Sequence, residues 1–233
     1  METVIFCGGK GTRLSPLTDV LPKPMIYIGE TPIIEHIIRY YSNFGHKDFI
    51  LCLGHKGGII KSYFEGKSQW NIKFVETGED TTKAQRLKIV EKHIKGDTFF
   101  LSYGDDLSDI DLNALLELHK SKNSILTLTT TMVRSPFGAV DFDEKGKVVR
   151  FREKPLIDAW INAGYYVVNR EVFQHIKESD DFETDTIPRL FPKGLVYAYR
   201  HNGFWMGMNT YQDTMLLNEM WKNGTAPWRV WQK

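Results

Sequence analysis

The stretch Thr3-Val4-Ile5-Phe6-Cys7-Gly8-Gly9-Lys10-Gly11-Thr12-Arg13-Leu14 decides how the rest of this 233-residue chain is to be read. A short apolar run, the pattern of a buried strand, empties into a turn in which three of four positions are glycine. Glycine reaches positive φ and carries no Cβ to hold a ligand away, so successive backbone N–H groups can converge on an anion. Lys10, Arg13 and, within Pro22-Lys23-Pro24, Lys23 surround that turn with positive charge. A cationic glycine loop behind a first strand is the pattern of a phosphate cradle; a plain strand-to-helix turn with solvated lysines is the alternative. Two familiar phosphate loops do not fit. A dinucleotide fingerprint starting at Gly9 needs a glycine where Leu14 stands, which disfavours an oxidoreductase, and a Walker loop needs Gly-Lys-Ser/Thr after four intervening residues.

The chain as a whole narrows the ligand. Thirty basic and 29 acidic residues leave a formal charge of +1, so no nucleic-acid surface or polybasic membrane anchor is indicated. The charge of the first loop is local and suits a small anion. Cys7 and Cys52, the only cysteines, both lie in apolar runs and read as buried thiols of a reducing compartment. No basic n-region opens the chain and no segment approaches the ~18 apolar residues of a membrane helix, so the expectation is a cytoplasmic protein.

Downstream, strands and helices alternate. Ile33, Ile34, Ile37, Ile38 and Tyr41 fall at helical spacing behind a Thr31-Pro32 cap, and Gly45 ends that helix. Residues 48–53 form a buried strand, 56–64 a short helix, 72–76 a strand, 81–94 a helix, 98–103 a second buried strand and 111–122 a helix. This order predicts an α/β fold: a Rossmann-like, mostly parallel sheet flanked by helices, with ligands beyond the C-terminal strand ends. After a β-rich run over 124–133 the character changes. Residues 139–142 and 148–151 read as a hairpin, 160–168 as a strand, 171–176 and 183–191 as short helices and 195–199 as a strand. Residues 1–135 are therefore expected to form a nucleotide-binding α/β portion, and 136–233 a smaller mixed β portion of the same domain that binds the acceptor.

Several constellations fall around that crevice. Gly104-Asp105-Asp106 closes the 98–103 strand, and such carboxylates suit a hard cation held together with substrate phosphates; capping of the next turn is the plainer role. Asn162-Ala163-Gly164, polar and small inside a strand rich in Tyr and Val, suggests close approach of a ligand. Glu153-Lys154-Pro155 follows the hairpin. The seven histidines show no metal-ligand spacing and no Ser/His/Asp arrangement stands out.

Taken together, Gly8 to Leu14, Pro22-Lys23-Pro24-Met25, Tyr103-Gly104-Asp105, Phe137-Gly138-Ala139, Glu153-Lys154-Pro155, Ile161-Asn162, Gly203-Phe204-Trp205 and the closing Lys222-to-Trp228 segment resemble the sugar-nucleotide pyrophosphorylase family, and its cytidylyl-transferring branch most closely. The resemblance implies attack of an acceptor phosphate on the α-phosphorus of CTP and departure of pyrophosphate, in the service of capsule or surface polysaccharide assembly. It implies that Gly8, Gly9, Lys10, Gly11, Thr12, Arg86 and Gly104 bind the nucleotide and that Arg13, Lys23 and Asp105 are catalytic. It also implies that Asp105 and the residue at 209 hold Mg²⁺, that Gly138, Glu153, Lys154 and Asn162 face a phosphorylated small-molecule acceptor, and that the chain forms a homo-oligomer.

Three departures from the family pattern touch the acceptor side or assembly. Asn209 stands where the family carries a metal-binding aspartate, Lys83-Ala84-Gln85-Arg86 replaces Thr-Gly-Gly-Arg, and the loop at Lys67 to Trp70 is abbreviated. These suit a phosphorylated amide as well as a sugar 1-phosphate. The charge lost at 209 also leaves room for a regulatory subunit that binds nucleotide without turnover, and because CTP and dTTP differ at few contacts, dTTP or UTP stays an alternative to CTP.

Overall fold

A computed structural model describes residues 1–232. Its frame is one seven-stranded sheet built from β1 (Glu2–Phe6), β2 (Asp48–Leu53), β3 (Asn71–Glu76), β4 (Thr98–Tyr103), β5 (Leu126–Arg134), β6 (Leu156–Asn169) and β7 (Val196–His201), in the order β7-β5-β6-β4-β1-β2-β3. All neighbours are parallel except β6, which runs antiparallel to both β4 and β5. The sheet is continuous across residue 135, because β5 pairs with β6 and β7.

Both faces are covered, and the period of two along each strand shows it. Ile5, Phe49, Leu51, Phe100, Tyr165 and Val167 pack on one side with α1 (Ile33–Asn43), α2 (Gly57–Phe64), α4 (Leu112–Ser121) and α5 (Tyr211–Lys222). Val4, Phe6, Ile50, Cys52, Phe99, Leu101, Tyr166 and Val168 pack on the other with α3 (Lys83–Val90) and the segment 170–190. Strands that alternate between two buried faces read as unbroken apolar runs, which is why β1, β2 and β4 were legible from composition.

Four details differ from expectation. Thr31 does not cap α1: Pro32 is the N-cap without a side-chain bond, and the Thr31 hydroxyl meets His36 Nε2 at 3.0 Å. The 81–94 helix is shorter, with a Thr82–Gln85 capping box opening α3 and a 3₁₀ turn over Glu91–His93 closing it. The 183–191 region is a π turn, a short α turn and a 3₁₀ turn in succession. Finally, α5 lies where no helix was expected, although its Thr210…Asp213 capping box was written in the sequence.

The shortened Lys67–Trp70 loop folds back on α1, where Lys67 Nζ pairs with the buried Glu35 at 2.5 Å. Beyond α5, Trp228 is fully buried and stacks on Phe204. Its indole N–H donates to His36 Nδ1 at 3.3 Å, and His36 Nε2 reaches the Ile28 carbonyl at 2.9 Å. One imidazole nitrogen accepts and the other donates, so the neutral ring fits the site, and burial holds the His36 pKa down to about 4.

Candidate active site

Parallel pairing of Phe6 with Tyr103 delivers the C-terminal ends of β1 and β4 to one edge of the sheet. There they open into a cavity of about 520 Å³ lined by, among others, Gly8, Gly9, Gly11, Arg13, Lys23, Arg86, Gly104, Asp105, Asn162 and Asn209. Residues far apart in the chain are thus brought together as expected. Lys10 and Thr12 are not on the wall: Thr12 is exposed, and Lys10 pairs with Asp80 at 2.7 Å.

The loop is fixed from beneath. Arg86, only 4% exposed, donates to Thr77 Oγ1 (2.6 Å) and to the carbonyls of Leu53 (3.3 Å), Gly8 (3.2 Å) and Glu79 (3.1 Å). A Cβ on Gly8 would meet Arg86 Nη1 at 2.0 Å, so the guanidinium sits where only glycine admits it. Arg86 therefore holds the loop's shape through both terminal nitrogens while also lining the cavity. Gly104 N–H donates to the Phe6 carbonyl at 3.1 Å, locking the two strand ends together.

At the cavity's centre the Lys23 ammonium pairs with Asp105 and donates to Asn209 Oδ1 at 3.0 Å. Met208 N–H donates to the Asp105 carbonyl at 2.9 Å, and a short antiparallel pair, Asp106–Ser108 with Trp205–Gly207, holds the Asn209 segment beside the end of β4. Two oxygen donors converging on one cationic nitrogen form a set that suits a hard divalent ion completed by phosphate oxygens and water. Among the described residues no group of three or more His, Cys, Asp or Glu side chains is placed to hold a metal by itself. Asp106, 5% exposed, is another carboxylate on the wall, beside Asp105 in sequence. Burial first, and the Asp105 charge next, push its pKa well up. Cys7 also lines the cavity, but burial raises its pKa well above the usual thiol value, so it is no nucleophile.

A second network forms the wall nearest β6. Lys83 Nζ pairs with Glu183 Oε1 at 2.5 Å and lies 4.5 Å from the Tyr103 ring centroid. Glu183 also accepts from the Tyr103 hydroxyl, which meets Tyr166 Oη at 2.8 Å, and Asn162 Nδ2 donates to Tyr166 in turn. Glu183 and Tyr166 were not singled out from sequence, and Tyr103 entered only through the Tyr103-Gly104-Asp105 motif; no local signal marked their meeting, since Tyr103 and Glu183 are 80 positions apart. Gly138, Glu153 and Lys154 are not brought to the cavity. They lie at the ends of the hairpin Ala139–Phe142/Val148–Arg152, all three exposed.

The nucleotidyl transferase family model matches residues 2–222. Over 258 residues the chain is 39% identical to glucose-1-phosphate cytidylyltransferase of Salmonella typhi, covering 100% of both. Among solved structures, HddC from Yersinia pseudotuberculosis superposes with a TM-score of 0.75 at 24% identity over 94% of this chain and 99% of that one. The same protein complexed with GMP-PN gives 0.73 at 23% over the same shares. These likenesses establish the same fold, a central mostly parallel sheet with helices on both faces.

Proposed function

The chain belongs to the nucleotidyl transferase family, and on that premise we propose that it transfers CMP from CTP to a small phosphorylated acceptor with release of pyrophosphate. The observation that carries this is the meeting of the glycine loop with Lys23, Asp105 and Asn209 in one cavity at the ends of β1 and β4. An acceptor phosphate oxygen attacks the α-phosphorus in line, the bond to the bridging oxygen breaks, and pyrophosphate departs with the electron pair. No covalent enzyme intermediate is required. Such transfers are accelerated by positioning and by stabilising charge on the leaving group.

The chain's residues divide that work. Backbone N–H groups of Gly8, Gly9 and Gly11, with Lys10 and Thr12 beside them, receive the triphosphate. Arg13 takes the charge that grows on pyrophosphate, and Lys23 exchanges its ion pair with Asp105 for the α-phosphate. Asp105 and Asn209 would hold Mg²⁺, whose chemistry there is to neutralise phosphate charge. Gly104 lies against the nucleotide. Asn162 faces the acceptor from the cavity wall, and Gly138, Glu153 and Lys154, at the ends of the exposed hairpin outside the cavity, are assigned to the approach of the acceptor rather than to its binding wall. Lys83 and Glu183, an ion pair on the same wall, suit a phosphorylated amide or zwitterion as well as a sugar 1-phosphate.

A cytoplasmic homo-oligomer is the setting we assign, supported by two buried free cysteines and by the apolar hairpin and α5 faces exposed to solvent. The test is a pyrophosphate-release screen crossing four nucleoside triphosphates with sugar 1-phosphates and phosphorylated amino acids in Mg²⁺. CTP with one acceptor class should stand out. Release from no pair sinks the proposal, and a preference for dTTP or UTP corrects the base. Asn209 motivates a second reading, a nucleotide-binding regulatory subunit: a silent protein that gains turnover on Asn209→Asp supports it.

A further inference from the structure

Asp106 follows Asp105 directly, yet its surroundings are of another kind. Asp105 is held by Lys23, whereas the Asp106 carboxylate accepts no hydrogen bond from the protein and pairs with no cation among the described residues, although it is 5% exposed. Its polar bonds run through the backbone, which is paired with Gly207 across the short strands and whose carbonyl accepts from the Tyr165 hydroxyl at 2.8 Å. A carboxylate set in the cavity wall with no hydrogen bond to its oxygens keeps its acceptor positions open to a ligand there, and a positive one would offset the cost of holding its charge in that wall.

The fold has cleared space for that carboxylate. A Cβ on Gly164 would meet Asp106 Oδ2 at 2.4 Å, and a Cβ on Gly207 would meet Oδ1 at 2.7 Å. Glycines of two different strands therefore leave the room in which the group sits. The Gly207 position locates it further, because the same Cβ would meet Asn209 Nδ2 at 2.8 Å. The ends of Asp106 and Asn209 thus lie over one glycine, and Asp106 is paired in register with Gly207 across the short strands.

The donor set then has two oxygens on Lys23, from Asp105 and Asn209, and an unpartnered carboxylate beside them. A neutral amide at 209 gives an oxygen without a charge. We propose that Asp106 supplies the second carboxylate of the divalent-cation site, in place of the charge that Asn209 lacks. The proposal rests on the nucleotidyl-transfer reading for the cation's purpose, and its test is a binding measurement so that the two can fail separately.

Mn²⁺ is titrated into the full chain and followed by electron paramagnetic resonance, alone and with a CTP analogue carrying a methylene between the α and β phosphorus atoms. Asp106→Asn should weaken Mn²⁺ binding at least tenfold, within the ~10–100-fold range typical of altered metal surroundings, while thermal melting shows the fold retained. Asp106→Asn with Asn209→Asp should recover affinity, because the charge returns over the same glycine. Asn209→Asp alone leaves Asp106 untouched and asks the same question in a chain whose buried carboxylate is intact. A gain below about threefold is expected when two carboxylates are already present. A gain of tenfold or more, or Mn²⁺ affinity unchanged in folded Asp106→Asn, overturns the proposal, as does a wild-type protein that binds no Mn²⁺ in either arm. Mn²⁺ bound with the expected mutant pattern but no CTP analogue bound would uphold the cation site and remove the CTP assignment.

Discussion

The glycine loop and the 139–152 hairpin both carry residues that sequence motifs single out, but the structure treats them in opposite ways. The loop is tied at several atoms: Gly8 O accepts from Arg86, Gly11 O accepts from Thr18, and Lys10 pairs with Asp80. The hairpin stands in solvent, with Phe137 74%, Phe142 68% and Phe151 63% exposed. Its paired strands hold each other, whereas the loop is placed by strands buried on both faces. A site half can therefore be fully shaped by its own chain or can depend on what docks against it, and here the phosphate half is of the first kind.

That contrast can be broken most sharply at the centre of the cavity. Arg13→Ala or Asp105→Ala should lower turnover on the order of 10²- to 10³-fold, measured as pyrophosphate release; full activity in both removes the assigned roles. Acid should act next, and only on the tied side. His36 is held neutral in the folded protein at a pKa of about 4, below its unfolded value of about 6.5. The unfolded chain thus binds the proton more readily, and stability is fully present above pH 6.5 and lost as pH falls toward 4. About 3 kcal/mol is at stake by linkage. Thermal melts across that window should show the slope, and His36→Gln should reduce it, leaving the part due to His46, whose pKa burial also holds down to about 4. Hydrogen exchange should place the acid loosening in α1 and the Trp228 segment, with hairpin amides fast at every pH.

Arg86→Ala should come third, costing about 10²-fold because the loop loses the support that fixes its carbonyls. A loss confined to melting temperature, with kcat intact, would make Arg86 purely structural. The hairpin substitutions Glu153→Gln and Lys154→Ala should be smallest, raising the acceptor KM less than about tenfold with the CTP KM unchanged. A larger kcat effect would mean that the arm is ordered over the cavity during turnover.

What the sequence made legible follows the same division. β1, β2 and β4 announced themselves because both faces are buried, and Gly8 to Arg13 follows its strand directly, so chain adjacency became spatial adjacency. Asp105 and Asn209 were foreseen through their motifs, and parallel register with a two-stranded clip brought them to Lys23. Glu183 was hidden because its partners, Lys83 and Tyr103, come from α3 and β4, a meeting no local pattern encodes. Arg86 was expected beside the nucleotide and does line the cavity, but its work beneath Gly8 depends on four acceptors from three separate segments. α5 was overlooked although Thr210 and Asp213 stood at capping-box spacing.

The clasp between His36 and Trp228 has a consequence for how the molecule is made. It joins residues 192 positions apart, and contacts of such separation close late because loop-closure entropy precedes their reward. Helix α1 is therefore synthesised early yet waits for part of its cover until Trp228 and the Val230–Gln232 turn have left the ribosome. Until then His36 and Phe204 lack the indole that covers them, so the nascent chain carries an apolar seam on α1 that only the segment from Trp228 onward seals.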